Sequence, residues 1–290
     1  MAELKEIKSR IQSVKSTQKI TSAMMMVSSA KLRKTQNIIQ NLYPYAGKLS
    51  QLLEHFLHDE QDNPSPFTQQ RPVQRVAIVA FSSNSSLAGR FNENISGKLE
   101  EVAGKWLSLG KEKIVVYPVG EKVAKATRKL GLTVQGNYSD ISEKPRYQDA
   151  QKIAAELMGL YRKGTIDRVE LIYHHFISKG SQVVVHEPFL PFEPKPRETG
   201  EAMLDYIVEP DTETIMLQLI PKVLKLKLFT AHVDSVTSEH AARMTAMQIA
   251  TDNADNLIDE LTLEYNKLRQ QSITNELLDI VGGSFGRAGG

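Results

Sequence analysis

The sequence predicts an α/β chain with long helices: an antiparallel coiled coil of its N- and C-terminal segments, plus a middle α/β domain with a mainly parallel sheet. Three observations predict it. Apolar residues recur at alternating steps of three and four along both ends, both ends are almost free of glycine and proline, and strand-like runs alternate with helix-like runs between two proline-rich joints. The expected divisions are a helix over 1–59, a linker over 60–72, the α/β domain over 73–190, a linker and foot over 191–210, a second helix over 211–285 and a tail over 286–290.

From Leu4 to about His58 there is one proline, Pro44, which bends or divides a helix, and one glycine, Gly47. The three-four walk from Leu4 meets Ile7, Ile11, Val14, Gln18, Thr21, Met25, Ser28, Leu32, Thr35 and Ile39, and continues through Leu53 to Phe56. Its polar breaks cluster in TQKITSAMMMVSSAK, where small side chains let a partner backbone come close and three methionines pack adaptably. The far end behaves alike from near Glu213 to Val281, with no internal glycine and with Pro221 near its start. The walk there runs from Leu226 through Val233, Thr237, His240, Met247, Thr251, Ala254 and Leu261 to Leu268. At ~1.5 Å per residue these helices are roughly 80 and 100 Å long, more than a globular domain needs. Each can bury a narrow stripe by pairing antiparallel with the other. Lys15, Lys19, Lys31, Arg33 and Lys34 on the first helix face no acid of their own until Glu54, whereas the last carries Asp252, Asp255, Asp259, Glu260 and Glu264.

The middle begins after Asp62-Asn63-Pro64-Ser65-Pro66 and ends at Pro188, Pro191, Pro194 and Pro196. Within it, Val76–Phe81 reads as a strand buried on both faces and Phe91 to Trp106 as a helix. Ile114 to Tyr117 reads as a strand, Val123 to Leu130 and Gln148 to Arg162 as helices, and Val169 to Ile177 with Gln182 to His186 as a hairpin turning at Lys179-Gly180. The alternation is that of a Rossmann-like domain with an antiparallel edge.

Composition narrows the function classes. The 290 residues are 41% hydrophobic, with 36 Lys+Arg against 34 Asp+Glu and no cysteine. A net charge of +2 gives no global pull toward nucleic acid or anionic membrane, and the absence of cysteine excludes disulfides and thiolate chemistry. No run of eighteen apolar residues exists, and MAELKEIKSR has neither an apolar signal core nor the acid-poor character of a transit peptide. The expectation is a bacterial cytoplasmic chain, or a mature form already processed.

The loop Ser82–Arg90 sits where a phosphate loop would, yet it lacks both a Gly-Lys-Ser/Thr ending and G-x-G-x-x-G. It reads as an ordinary connection with Ser or Asn capping the next helix. His174 and His175 are strand neighbours that point to opposite faces, so they cannot share a metal, and His186-Glu187 and Glu239-His240 lack the second histidine of H-E-x-x-H. No cofactor, no metal and no catalytic residue is expected. The basic face of the first helix has no interleaved aromatics for nucleic acid, and with Met24-Met25-Met26 beside it suits an acidic protein partner. A stand-alone coiled-coil adaptor would explain the helices, and a nucleotide-binding enzyme the middle.

Three stretches resemble one family. These are IKSRIQSVKSTQKITSAMMMVSSAKLRKTQ from Ile7, Ser238 to Met244 with Asn253 to Leu268, and Ile273-Thr274-Asn275-Glu276-Leu277 through Gly283. They are similar to the γ subunits of bacterial F-type ATP synthases, over essentially the whole chain. The resemblance implies the central rotor shaft of F1Fo: a coiled coil inside a ring of three α and three β subunits, with the α/β domain below, beside the ε subunit and the membrane c-ring. Rotation of the c-ring, driven by protons or sodium, would cycle the β sites through ATP synthesis, with no chemistry on this chain. It implies a peripheral location on the cytoplasmic side of the bacterial inner membrane, through the Fo sector, and no nucleic acid.

Residue by residue, the resemblance implies that Met24, Lys19 and Arg33 face acidic loops of β. Arg243, Arg269, Gln270, Thr274 and Glu276 would couple the two helices or touch the catalytic ring. Beyond roughly Leu268 the last helix would outrun its partner, with Ile273, Leu277 and Ile280 meeting an apolar sleeve, and Tyr206 and Glu209 would form a foot on the c-ring. Where relatives commonly carry S-D-R-G-L-C-G-G-F-N, this chain has Ser83-Asn84-Ser85-Ser86-Leu87-Ala88-Gly89-Arg90-Phe91-Asn92, and its tail is glycine-rich.

Overall fold

A computed structural model describes residues 2–59, 65–193, 208, 209 and 211–285. The elements are α1 (Ala2–Asp59), β1 (Val76–Phe81), α2 (Phe91–Lys105), β2 (Ile114–Val119), α3 (Glu121–Leu130), β3 (Thr133–Val134), α4 (Tyr147–Arg162), β4 (Arg168–Ser178), β5 (Ser181–Leu190) and α5 (Thr212–Phe285). Both long helices are continuous through their prolines, Pro44 and Pro221. The chain divides into two compact units, one made of residues 1–28 and 244–290, the other of 29–243.

The larger unit is built on a five-stranded sheet in the order β3-β2-β1-β4-β5, parallel except for β4 with β5. Its central strand explains the layering. Val76, Ile78 and Ala80 pack with Ile95, Leu99 and Val102 of α2 and Val123 of α3. The alternate residues Ala77, Val79 and Phe81 pack with Ile153, Leu157 and Tyr161 of α4, Leu53 and Phe56 of α1, and Ile220 and Leu224 of α5. A period of two thus sends one strand into two cores, which is why Val76–Phe81 is apolar throughout. The hairpin strands are longer than their sequence pattern predicts, and Pro188, read as the first proline of the joint that ends the domain, pairs with Glu170 inside β5. An edge strand tolerates it because one side of the strand owes no ladder bond. The two-residue β3 carries too short a pattern to be foreseen.

In the smaller unit the two chain ends pair antiparallel. Gln18 Nε2 donates to Asp255 Oδ1 at 2.9 Å, and the hydroxyls of Thr21 and Thr251 meet at 2.8 Å. Farther along, Leu4, Lys5 and Lys8 lie with Tyr265, Arg269, Ser272, Ile273 and Glu276 around one groove. Partners therefore advance on one helix as they retreat on the other. Of the polar breaks of the stripe, Gln18 is half-buried while Thr21 and Ser28 are buried in the seam, and Ser28 donates its hydroxyl proton to Met24 O at 2.8 Å. Such back-bonding satisfies the hydroxyl within its own helix and leaves a small, close-packing surface.

Candidate functional site

In the larger unit the loop after β1 is a hub of hydrogen bonds. Ser82 Oγ accepts from Val123 N at 2.9 Å, Ser83 O from Lys122 N at 3.2 Å, and Asn84 Oδ1 from Glu121 N at 3.0 Å. These are orphan N–H groups of the first turn of α3, so the loop caps α3. The expected capping of α2 is not what forms: its N-cap is Arg90, with no side-chain cap bond, and Asn92 Oδ1 instead accepts from Ser83 N and Oγ. Ser83 N and the first three N–H groups of α3 are thereby satisfied within the chain. Gly120 is obligatory at this junction, since its φ is +114° and an added Cβ would lie 2.2 Å from Ser82 O.

Above this hub, every residue of α5 from Ala231 to Ala241 is buried, among them His232, Asp234, Ser235, Thr237, Ser238, Glu239 and His240. Glu239 Oε1 accepts from Arg243 Nη1 at 2.6 Å, and Arg243 Nη2 meets Ser85 Oγ at 2.9 Å. Burial pushes the Glu239 carboxyl above the ordinary carboxylate range despite the guanidinium beside it. Asp234 Oδ1 accepts from Phe176 N at 2.8 Å and Oδ2 pairs with His175 Nδ1 at 2.6 Å; burial raises this carboxyl too. His174 and His175 do point to opposite faces: His174 stacks on Phe91 at 4.2 Å, while His175 reaches α5. His174, His232 and His240 are each lowered to about 4 by burial, so all three are neutral near pH 7. Among the described residues no three His, Asp or Glu are placed to hold a metal ion.

Elsewhere in this unit, Glu170 is buried between His186 Nε2 at 3.0 Å and Arg168 Nε at 2.5 Å. Burial acts to raise its pKa, but the bonds from His186 and Arg168 outweigh it, and the carboxyl lies below the usual range.

The residues singled out by resemblance fall in different settings. Lys19 and Arg33 are exposed and Met24 is half-buried. Arg269 and Glu276 line the groove beside Leu4, Lys5 and Lys8, so helix overlap reaches past Leu268 by about two turns. Gln270 and Thr274 are exposed, with Thr274 Oγ1 bonded to Gln270 O at 2.9 Å. Ile273, Leu277 and Ile280 are 49%, 57% and 69% exposed. Arg243 differs from the rest, being buried and bonded within the larger unit. Glu209 is exposed, and Tyr206 lies outside the described residues. The sequence does not identify Ser85 and Asp234 as partners of anything; a serine-rich loop and an aspartate next to the apolar walk are the traces they leave.

Comparison with known proteins completes the picture. The family model described as ATP synthase matches residues 3–285. The ATP synthase gamma chain of Bacteroides fragilis is 54% identical over 289 residues, covering 98% of this chain and 100% of the relative. That of Bacteroides thetaiotaomicron is 53% identical over 297 residues, with 98% and 100% covered. Among solved structures, a chain of the Euglena gracilis mitochondrial ATP synthase, OSCP/F1/c-ring, superposes with a TM-score of 0.64 at 19% identity, covering 98% of this chain and 94% of that one. A chain of the Tetrahymena thermophila mitochondrial ATP synthase, central stalk and c-ring, gives 0.58 at 23% identity, with 80% and 99% covered. The structural likenesses share the fold, and the near full-length sequence relationship decides the family: this chain belongs to the ATP synthase gamma chain family.

Proposed function

We propose that this chain is the central rotor shaft of an F1Fo ATP synthase, carrying rotation of an ion-driven c-ring to the catalytic β subunits. The observation that carries this reading is the stripe Ile273, Leu277 and Ile280, 49% to 69% exposed at the end of a helix pair. Apolar surface kept in water marks a contact surface, and a ring closed around the helix is one that fits. In this reading the pair of chain ends stands inside three α and three β subunits, with Lys19, Met24 and Arg33 toward acidic loops of β and Arg269, Gln270, Thr274 and Glu276 at the ring. The α/β unit, with Tyr206 and Glu209, meets the ε subunit and the c-ring.

The mechanism follows from differential contact. A shaft whose faces differ makes unequal contacts with the three β subunits, so each shaft angle favours a different set of β conformations. Rotation then changes affinity for ADP, phosphate and ATP at sites that belong to β. This chain forms and breaks no bond. It is peripheral to the inner membrane, held on the cytoplasmic side through Fo.

The test is co-expression with the α and β subunits of the same genome, assaying ATP hydrolysis with the full chain, without it, and with the chain cut after Leu268. One copy per complex, with turnover lost on omission, supports the shaft. A chain that neither joins the complex nor alters turnover overturns it.

A further inference from the structure

In the larger unit, α5 is gripped from two sides by directional bonds. On one side, Lys227 Nζ donates to Pro188 O at 2.9 Å and pairs with Glu187 Oε2 at 3.2 Å. Asp234 holds Phe176 N and His175, and Ser238 Oγ donates to His174 O at 3.3 Å. Positions 227, 234 and 238 lie within ~40° of one another around the helix and span about 17 Å of its length, all against the β4–β5 hairpin. On another side, Arg243, braced by Glu239, reaches Ser85 in the loop after β1. At ~100° per residue Arg243 projects roughly 140° round from Ser238.

A helix seated by apolar contact alone can roll, because hydrophobic attraction has no direction. Bonds at two azimuths oppose rolling. With side-chain tips at ~5–6 Å from the axis, a turn of about 20° displaces them by about 2 Å, enough to break a hydrogen bond of ordinary length. Because Asp234 and Arg243 are buried, a broken bond would leave a polar group out of water without that partner.

We propose that these two grips are the joint through which torque passes between the sheet of the α/β unit and α5, with Asp234, Ser238, Arg243 and Ser85 as positioning residues. The proposal rests on the rotor reading. It assigns Arg243 to a contact within the chain, in place of the helix-to-helix or ring contact that resemblance implies.

The experiment uses the assembled α, β and γ complex, immobilised through the ring, with a bead attached to the α/β unit, and reads the angular spread of the bead during catalytic pauses. Ser85→Ala removes the second grip, and Lys227→Met with Ser238→Ala weakens the first. Removing one of two independent restraints is expected to widen the angular variance about twofold, while unloaded ATP hydrolysis stays near that of the unmodified complex. Leu228→Ala, which costs core stability without touching either grip, is expected to leave the variance unchanged. Unaltered variance in both grip variants overturns the proposal, as does equal widening by Leu228→Ala. If the unmodified complex hydrolyses ATP without turning the bead, the shaft reading itself fails, and that outcome is distinct from a rotating complex whose variance ignores the grips.

Discussion

One helix, α5, is held in two different ways along its length. From Ala231 to Ala241 it is buried on every side, and Asp234, Thr237, Ser238 and Glu239 are bonded to a strand or within their own helix. From Met244 onward only a narrow set, including Met247, Ala254 and Leu261, is buried, while Ile249, Leu263 and Leu277 stand in solvent. The difference separates two tasks. A stretch surrounded by protein can use directional bonds, because an unmade bond there is expensive; a stretch with one partner helix can use only a stripe and must leave its other faces for something else.

Breaking the first stretch should cost far more than breaking the second. Glu239→Ala leaves Arg243 buried without its carboxylate and is expected to destabilise the chain by about 3–5 kcal/mol in chemical denaturation, whereas Asp255→Ala, removing an exposed partner of Gln18, should cost under ~1 kcal/mol. Equal losses would dissolve the contrast.

Apolar truncation sharpens the same point. Leu228→Ala, at 1% exposure, should cost about 2–5 kcal/mol, while Leu263→Ala, at 73%, should stay within ~0.5 kcal/mol. A costly Leu263→Ala in the isolated chain would show that the outer face of the pair is already covered.

Acid should loosen the buried stretch and the strand packed beside it. His174, His232 and His240 have folded pKa values depressed to about 4, so the unfolded chain binds more protons between about pH 6.5 and 4. Their contribution is complete above about pH 6.5 and is lost as pH falls toward 4, at up to ~1.4 kcal/mol per pH unit for each histidine. Asp234 and Glu239, raised by burial, work in the opposite sense and lessen the loss. Hydrogen exchange at residues 231–241 should therefore accelerate between pH 7 and 5, after correction for intrinsic rates; flat protection over that interval would contradict the burial of the three rings.

The smallest expected effect lies in the seam of the chain ends. A double-mutant cycle on Thr21→Val and Thr251→Val should return a coupling of about 0.5–1.5 kcal/mol, the value of one part-buried hydroxyl pair. A coupling near zero would mean that small size alone, and not the bond, explains threonine at both positions.

Much of this molecule was readable in one dimension. The three-four walk along α1 passes through Ile7, Thr21, Ser28, Leu32, Thr35, Ile39, Leu53 and Phe56, each of which is buried, because helical geometry alone sets which residues share a stripe. The apolar run Val76–Phe81 declared a strand with two covered faces, and the opposed faces of His174 and His175 followed from the strand period. The same reasoning read the Ser82–Arg90 loop as a cap for α2, because a local rule attaches a polar loop to the helix that follows it. Only the fold carries that loop past α2 to the start of α3 and brings Ser85 to Arg243, 158 residues away in sequence. Likewise the walk along α5 could select one face but not foresee that residues 231–241 would be enclosed on all faces. Period and composition are properties of neighbours along the chain, and they determined the helices, the strands and the stripe; enclosure and hydrogen-bond partnership depend on segments that meet only after the sheet has formed, so the tertiary structure alone decided where the buried charges find their partners.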